Sequence, residues 1–173
     1  MIRSEGYPAE THYATTEDGY ILALHRIPHG KTNGDDEGSR PVIFVQHGIL
    51  ASSADWVLST PAKGLGRTYA QYYDMTNLYC AGFILADAGY DVWLGNYRGN
   101  TYSRNHSFLN PDNQRDGFWD FTWDEMAHYD LPTMIEKALE VTGESELFYA
   151  GHSMGTTAFM AMHHYRPDIG QKL

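Results

Sequence analysis

Three short, mostly apolar runs limit what this chain can fold into: PVIFVQHG at 41–48, YDVWL at 90–94 and ELFYAGH at 146–152. None alternates apolar with polar residues, as a strand wetted on one face would. Runs of this length bounded by Pro or Gly suit strands covered on both faces. Helical patterning separates and follows them. GFILADAG at 82–89 is a short apolar helix stopped by Gly89. WDEMAHYDLPTMIEKALEVTG at 123–143 carries apolar residues at helical spacing; Pro132 marks a kink or restart, Asp130 is a candidate N-cap, and Gly143 closes the helix. Residues after Ser153 are helical again. Ahead of all this, YATTEDGYILALHRIP at 13–28 reads as two strands around the turn Glu17-Asp18-Gly19, followed by a polar, glycine-rich surface loop at 30–40. Strand and helix in alternation predict an α/β fold with a mostly parallel central sheet, flanking helices and an N-terminal β-hairpin. The 173 residues show no repeat and no second domain.

The third run leads into GHSMG, residues 151–155. G-x-S-x-G by itself is a modest signal. It gains weight between a strand and a helix, where a nucleophilic serine sits on a tight, strained turn and the two glycines let strand and helix approach. LFYAGH precedes Ser153 and MGTTAFMAMHH follows it. The backbone N–H of Met154 then lies at a helix N-terminus, placed to donate to an oxyanion. A second donor belongs in the loop after another central strand, and QHGILASSADW at 46–56 offers Ile49 just past His47-Gly48. On its own, His47-Gly48 is an ordinary strand-ending turn; beside GHSMG it reads as the oxyanion loop.

The other histidines fit less well. His152 points off the opposite side of its strand and reads as structural. His163 and His164 are ten and eleven residues beyond Ser153, ~15 Å along a helix, too far to act as its base. His12, His25, His29, His106 and His128 belong to no motif, and no spacing resembles a metal site. The formal charge of −10, from 12 basic and 22 acidic residues, argues against nucleic acid as a partner. The lone cysteine, Cys80, excludes an internal disulfide. No apolar run approaches the ~18 residues of a membrane span, and MIRSEGYPAE has no apolar core of a signal peptide. Asn105-His106-Ser107 is a glycosylation sequon, meaningful if the chain enters the secretory route.

The blocks EGYPAETHYATTEDGYILALHRIP, PVIFVQHGILASSADWV, ILADAGYDVWLGNYRGNTYSRNH, FWDFTWDEMAHYDLPTMIEKALEVTG and FYAGHSMGTT together resemble the acid lipases of the lysosomal acid lipase and gastric lipase type. The resemblance implies an α/β-hydrolase fold and cofactor-free hydrolysis of neutral lipid esters, triacylglycerols or cholesteryl esters, in a lysosomal or secreted setting. It matches Ser153 to the nucleophile and the N–H groups of Ile49 and Met154 to the oxyanion hole. The family usually has Gln where Met154 stands, a change of little weight because the donor is main chain. Residues 67–82, RTYAQYYDMTNLYCAG, have no counterpart in the family and read as an atypical surface insertion contributing little to the core. The family's Asp and His follow the serine beyond a long cap region. Residues 1–173 are thus expected to be the N-terminal part of a single lipase domain, a truncated α/β hydrolase without cap or triad partners.

Three readings follow: a neutral-lipid ester hydrolase; a truncated, non-catalytic product that binds lipid or a partner; and, disfavoured by the blocks outside GHSMG, an α/β hydrolase of different chemistry. On either of the first two, a polypeptide of residues 1–173 alone is expected to be inactive and prone to aggregate through an unpaired apolar strand at 147–152. The sequence says nothing of oligomeric state.

Overall fold

The computed structural model describes residues 1–35, 38–58, 80–113 and 115–173. The predicted hairpin is present: β1 (Glu10–Thr15) and β2 (Tyr20–Ile27) pair antiparallel from Glu10↔Arg26 to Thr15↔Ile21. Gly19 closes their turn at φ 101, a conformation that favours glycine. The three apolar runs become β3 (Val42–Gln46), β4 (Asp91–Leu94) and β6 (Phe148–Gly151). A two-residue strand, β5 (Asn105–His106), pairs with the start of β2. The sheet order is β1-β2-β4-β3-β6. β4, β3 and β6 are mutually parallel, and the hairpin joins β4 antiparallel, so the sheet is mixed with a parallel centre.

Side chains of the central strands alternate between two apolar layers. Val42, Phe44 and Trp93 face a cluster that includes Leu131, Met134, Ile135 and Ala158. Ile43, Val45, Val92 and Leu94 face another that includes Trp56 and Phe83. Helices therefore cover both faces: α1 (Ala81–Asp87) on one, α2 (Leu131–Thr142) and α3 (Met154–Tyr165) on the other. This explains the lack of polar alternation in β3 and β4, both buried along their whole length. β6 departs from the buried strand its apolar run suggests and matches the unpaired apolar strand expected at 147–152. It has no outer partner among the described residues, and Phe148 is 57% exposed.

Residues 67–79 of the expected insertion lie outside the described residues. Its last three do not form a surface excursion: Cys80 and Gly82 are buried, and a Cβ on Gly82 would come within 3.0 Å of Val57 Cγ1. They belong to the start of α1 and its packing.

The helical stretch at 123–142 also differs from its sequence reading. It opens at Trp123–Glu125 under a capping box in which Thr122 and Glu125 bond reciprocally. It then widens into a π-helical turn, Met126–Asp130, before α2. Asp130 is no N-cap. It is fully buried and accepts from the Arg98 backbone N–H at 2.9 Å and the Arg98 Nε at 2.7 Å. The same guanidinium, itself 2% exposed, reaches Asp18 of the hairpin turn at 2.6 Å and lies 4.0 Å from the Tyr20 ring centroid. One arginine thus ties the hairpin, the loop after β4 and the π turn together.

Burial pushes the Asp130 carboxyl up to about 7, against the pull of Arg98. An acid whose folded pKa exceeds its unfolded value, ~3.9, contributes stability that is full below ~3.9 and lost as pH rises through the folded value. Burial pushes the half-buried His25 and the buried His47 down, and Asp18 is held low; the histidines bind their protons only when unfolded, so their contribution rises with pH up to about 7.5 and is lost on acidification. The two slopes overlap between about pH 6 and 7.5, so the Asp130 share is read as a difference. The thermal midpoint of the parent is expected to fall relative to that of Asp130→Asn as pH rises from about 5 to 8.

Candidate active site

β6 ends at Gly151, and α3 begins at Met154. The reversal is made at Ser153, whose backbone stands at φ 54, ψ −117. A non-glycine residue in such a region costs about 1–3 kcal/mol and survives only where its surroundings impose it. The constraints here are visible. His152 N–H donates to Gln46 O at 3.0 Å, Gly155 N–H to His152 O at 2.9 Å, and Thr156 Oγ1 to Gly151 O at 2.8 Å. A Cβ on Gly151 would meet the backbone of Gly155 and Thr156 at 2.8 Å; one on Gly155 would meet Gln46 O at 2.6 Å. Both glycines are thus required by close backbone approach, as the motif predicts.

Ser153 is exposed, and its hydroxyl makes no hydrogen bond among the described residues. A Cβ placed on Gly48 would lie 3.0 Å from the Ser153 Cβ, so the loop after β3 passes directly beside the serine. Ile49 follows, 67% exposed, then a fully exposed Leu50 at φ 58. Among the described residues, neither the Ile49 nor the Met154 N–H donates a hydrogen bond. Both residues and Ser153 line one open cavity of about 720 Å³, with Phe121, Trp123 and Met126. An adjoining cavity of about 390 Å³ shares Ile49, Met154, Phe121 and Met126, and runs on to Tyr97, Asn100 and Trp119.

His47, read above as part of the oxyanion loop, has a more specific place. It is buried, its Nε2 accepts from the Tyr97 N–H at 3.2 Å and the Asn100 amide at 3.1 Å, and its Nδ1 therefore carries the proton and donates to Gly48 O at 2.7 Å. Burial lowers its pKa, which keeps this neutral form. The Gly48 carbonyl and the Ile49 N–H belong to one planar peptide. Pinning the carbonyl to the imidazole fixes the direction of that N–H.

The other histidines take no part. His163 bonds the Phe159 carbonyl at 2.8 Å and His25 the Ser53 hydroxyl at 2.8 Å. No group of His, Cys, Asp and Glu among the described residues could hold a metal ion, and no described helix is long and apolar enough to cross a membrane. The aromatic lining at 119–123 had a signal in FWDFTWDEM, where aromatics recur in an otherwise polar stretch.

A parallel-centred sheet covered on both faces, with an exposed serine strained at the strand-to-helix turn, is the plan of an α/β hydrolase. Residues 41–169 match the family described as alpha/beta hydrolase fold, and residues 1–60 a partial alpha/beta-hydrolase lipase region. The chain belongs to the alpha/beta hydrolase fold family.

Its relatives are lipases. It is 51% identical over 175 residues to lipase lipl-1 of Caenorhabditis elegans. It is 46% identical over 173 residues to gastric triacylglycerol lipase of Bos taurus and 45% over 173 to lysosomal acid lipase/cholesteryl ester hydrolase of Homo sapiens. Each comparison covers 100% of this chain and 39% of the relative, so the chain spans about two fifths of the length of the curated relatives it matches. Among solved structures, an esterase of Pyrococcus furiosus superposes with a TM-score of 0.55 at 16% identity, covering 95% of this chain and 49% of the other; that likeness is one of fold.

Proposed function

We propose that residues 1–173 supply the nucleophile and oxyanion donors of a serine ester hydrolase acting on neutral lipids, triacylglycerols or cholesteryl esters, in a lysosomal or secreted setting. The observation that carries the reading is the strained, exposed Ser153 with the unbonded Met154 N–H at the first residue of α3. The Ser153 oxygen attacks the ester carbonyl carbon while its proton passes to a general base. The carbonyl oxygen becomes an oxyanion held by the Ile49 and Met154 N–H groups and favoured by the positive end of α3. Collapse breaks the carbon–oxygen bond to the alcohol, which leaves with a proton, and water then hydrolyses the acyl-serine. The apolar lining of Phe121, Trp123 and Met126 suits an acyl chain. In this reading the chain is the N-terminal part of one lipase domain, with 67–82 an atypical insertion.

A second reading, a non-catalytic lipid- or partner-binding product, draws on one observation: among the described residues no histidine or carboxylate bonds the Ser153 hydroxyl. The two are separated by treating the natural gene product that contains these residues with a fluorophosphonate probe and mapping the adduct by mass spectrometry. Stoichiometric labelling of Ser153 that parallels loss of tributyrin hydrolysis is expected. Hydrolysis that survives full labelling would refute the first reading, and a protein that neither labels nor hydrolyses would favour the second.

A further inference from the structure

Asn105 lies in β5, at the margin of the sheet rather than in its core. It begins the sequon Asn105-His106-Ser107, the one Asn-X-Ser/Thr triplet in the 173 residues. The three side chains are sorted by the strand. In an extended segment alternate residues share a side, and here the middle one turns inward. His106 stacks edge-on against the Tyr20 ring at 4.7 Å, and its Nε2 lies 3.0 Å from Asp18 O. Its Nδ1 accepts from the Phe108 and Leu109 N–H groups, each at 3.2 Å, which bends the chain just past the sequon. Asn105 is left on the outer side, exposed, and its carboxamide has no hydrogen-bond partner among the described residues; Ser107 is exposed too, but its hydroxyl donates to Gly19 O at 3.1 Å.

The structure assigns Asn105 as an N-glycosylation site, a carboxamide held clear of the fold on a strand anchored by His106. This rests on the lysosomal or secreted setting proposed above, because only a chain entering the secretory route meets the glycosylating enzyme. Nothing in the packing opposes the modification. The glycan would leave the fold next to Phe108, which is 74% exposed. The register also sets its place relative to Ser153. Tyr20 and Ile21, which pair with β5, begin a strand antiparallel to β4, so β5 lies toward the C-terminal end of the parallel strands, the end at which Ser153 sits. β5 pairs the edge of β2 that faces β4, so two strand spacings, roughly 10 Å, separate its line from that of β6. The glycan therefore leaves the fold at the end of the sheet that carries Ser153.

The test expresses the natural gene product in a eukaryotic host behind a signal sequence that commits it to the secretory route. The recovered protein is digested with peptide-N-glycosidase in ¹⁸O water, which converts an occupied Asn into a heavy Asp. The expected result is heavy Asp at position 105, with the glycan band lost in Asn105→Gln and in Ser107→Ala but kept in Ser107→Thr. Ester hydrolysis by Asn105→Gln should be unchanged. Recovery of the 105 peptide unmodified from secreted protein would overturn the assignment. Because entry to the route is imposed, that failure is separate from failure of the hydrolase reading, which is scored by activity on the same samples; native location is read separately by fractionation.

Discussion

Replacing Ser153 by alanine in the natural gene product is expected to lower ester hydrolysis by about 10⁴-fold or more, with the loss in kcat. The magnitude follows from the role. A hydroxyl that forms the covalent intermediate has no substitute in a methyl group, whereas oxyanion donors and the binding cleft survive the change and leave a small residual rate. The fold should survive too. Ser153 is exposed, its hydroxyl bonds nothing among the described residues, and alanine meets the same backbone strain that serine already bears. Far-ultraviolet dichroism and the thermal midpoint of Ser153→Ala should therefore match the parent while tributyrin hydrolysis disappears. Retained hydrolysis in a well-folded Ser153→Ala would place the nucleophile elsewhere.

Arg98→Met is expected to have the largest effect on stability, about 3–5 kcal/mol. Deleting the guanidinium leaves Asp130 fully buried without its partner and frees Asp18 from the hairpin turn. Against a total stability of about 5–15 kcal/mol, such a loss brings the protein close to unfolding at room temperature. Urea denaturation followed by tryptophan fluorescence measures it. The double variant Arg98→Met/Asp130→Leu should recover part of the loss, since an apolar pair of similar volume carries no desolvated charge. If both variants melt together, the cost lies in packing against Tyr20 rather than in an orphaned carboxylate.

The parts of this molecule that were legible in the sequence are those set by local pattern. The runs at 41–48 and 90–94 announce doubly covered strands because burial on both faces removes polar alternation. GHSMG announces its turn because two backbones touch at Gly151 and Gly155 and tolerate no Cβ. What stayed hidden depends on distant residues. Asp130 has the composition of an N-cap, and only the arrival of Arg98, 32 residues earlier, makes it half of a buried ion pair. His47 is legible only as a member of the loop beside GHSMG; Tyr97 and Asn100, which fix its tautomer, are 50 and 53 residues away. The apolar run at 146–152 cannot report whether a neighbour lies beyond it; its strand lies at the edge of the described sheet and leaves Phe148 exposed.

Two non-glycine residues have positive φ among those described, Leu50 and Ser153, and they stand on the two backbone segments that flank the cavity mouth. At roughly 1–3 kcal/mol each, the pair withdraws a sizeable share of the molecule's total stability at one spot. Such a spot is the first to relax when its supports weaken. Loss of function and loss of fold should then be separate events: in a urea titration, reactivity of Ser153 toward fluorophosphonate should fade at lower denaturant than the sheet's dichroism. Coincident transitions would mean that the strain is locked in by the whole cooperative unit. The protein would in the first case age by going silent before it comes apart.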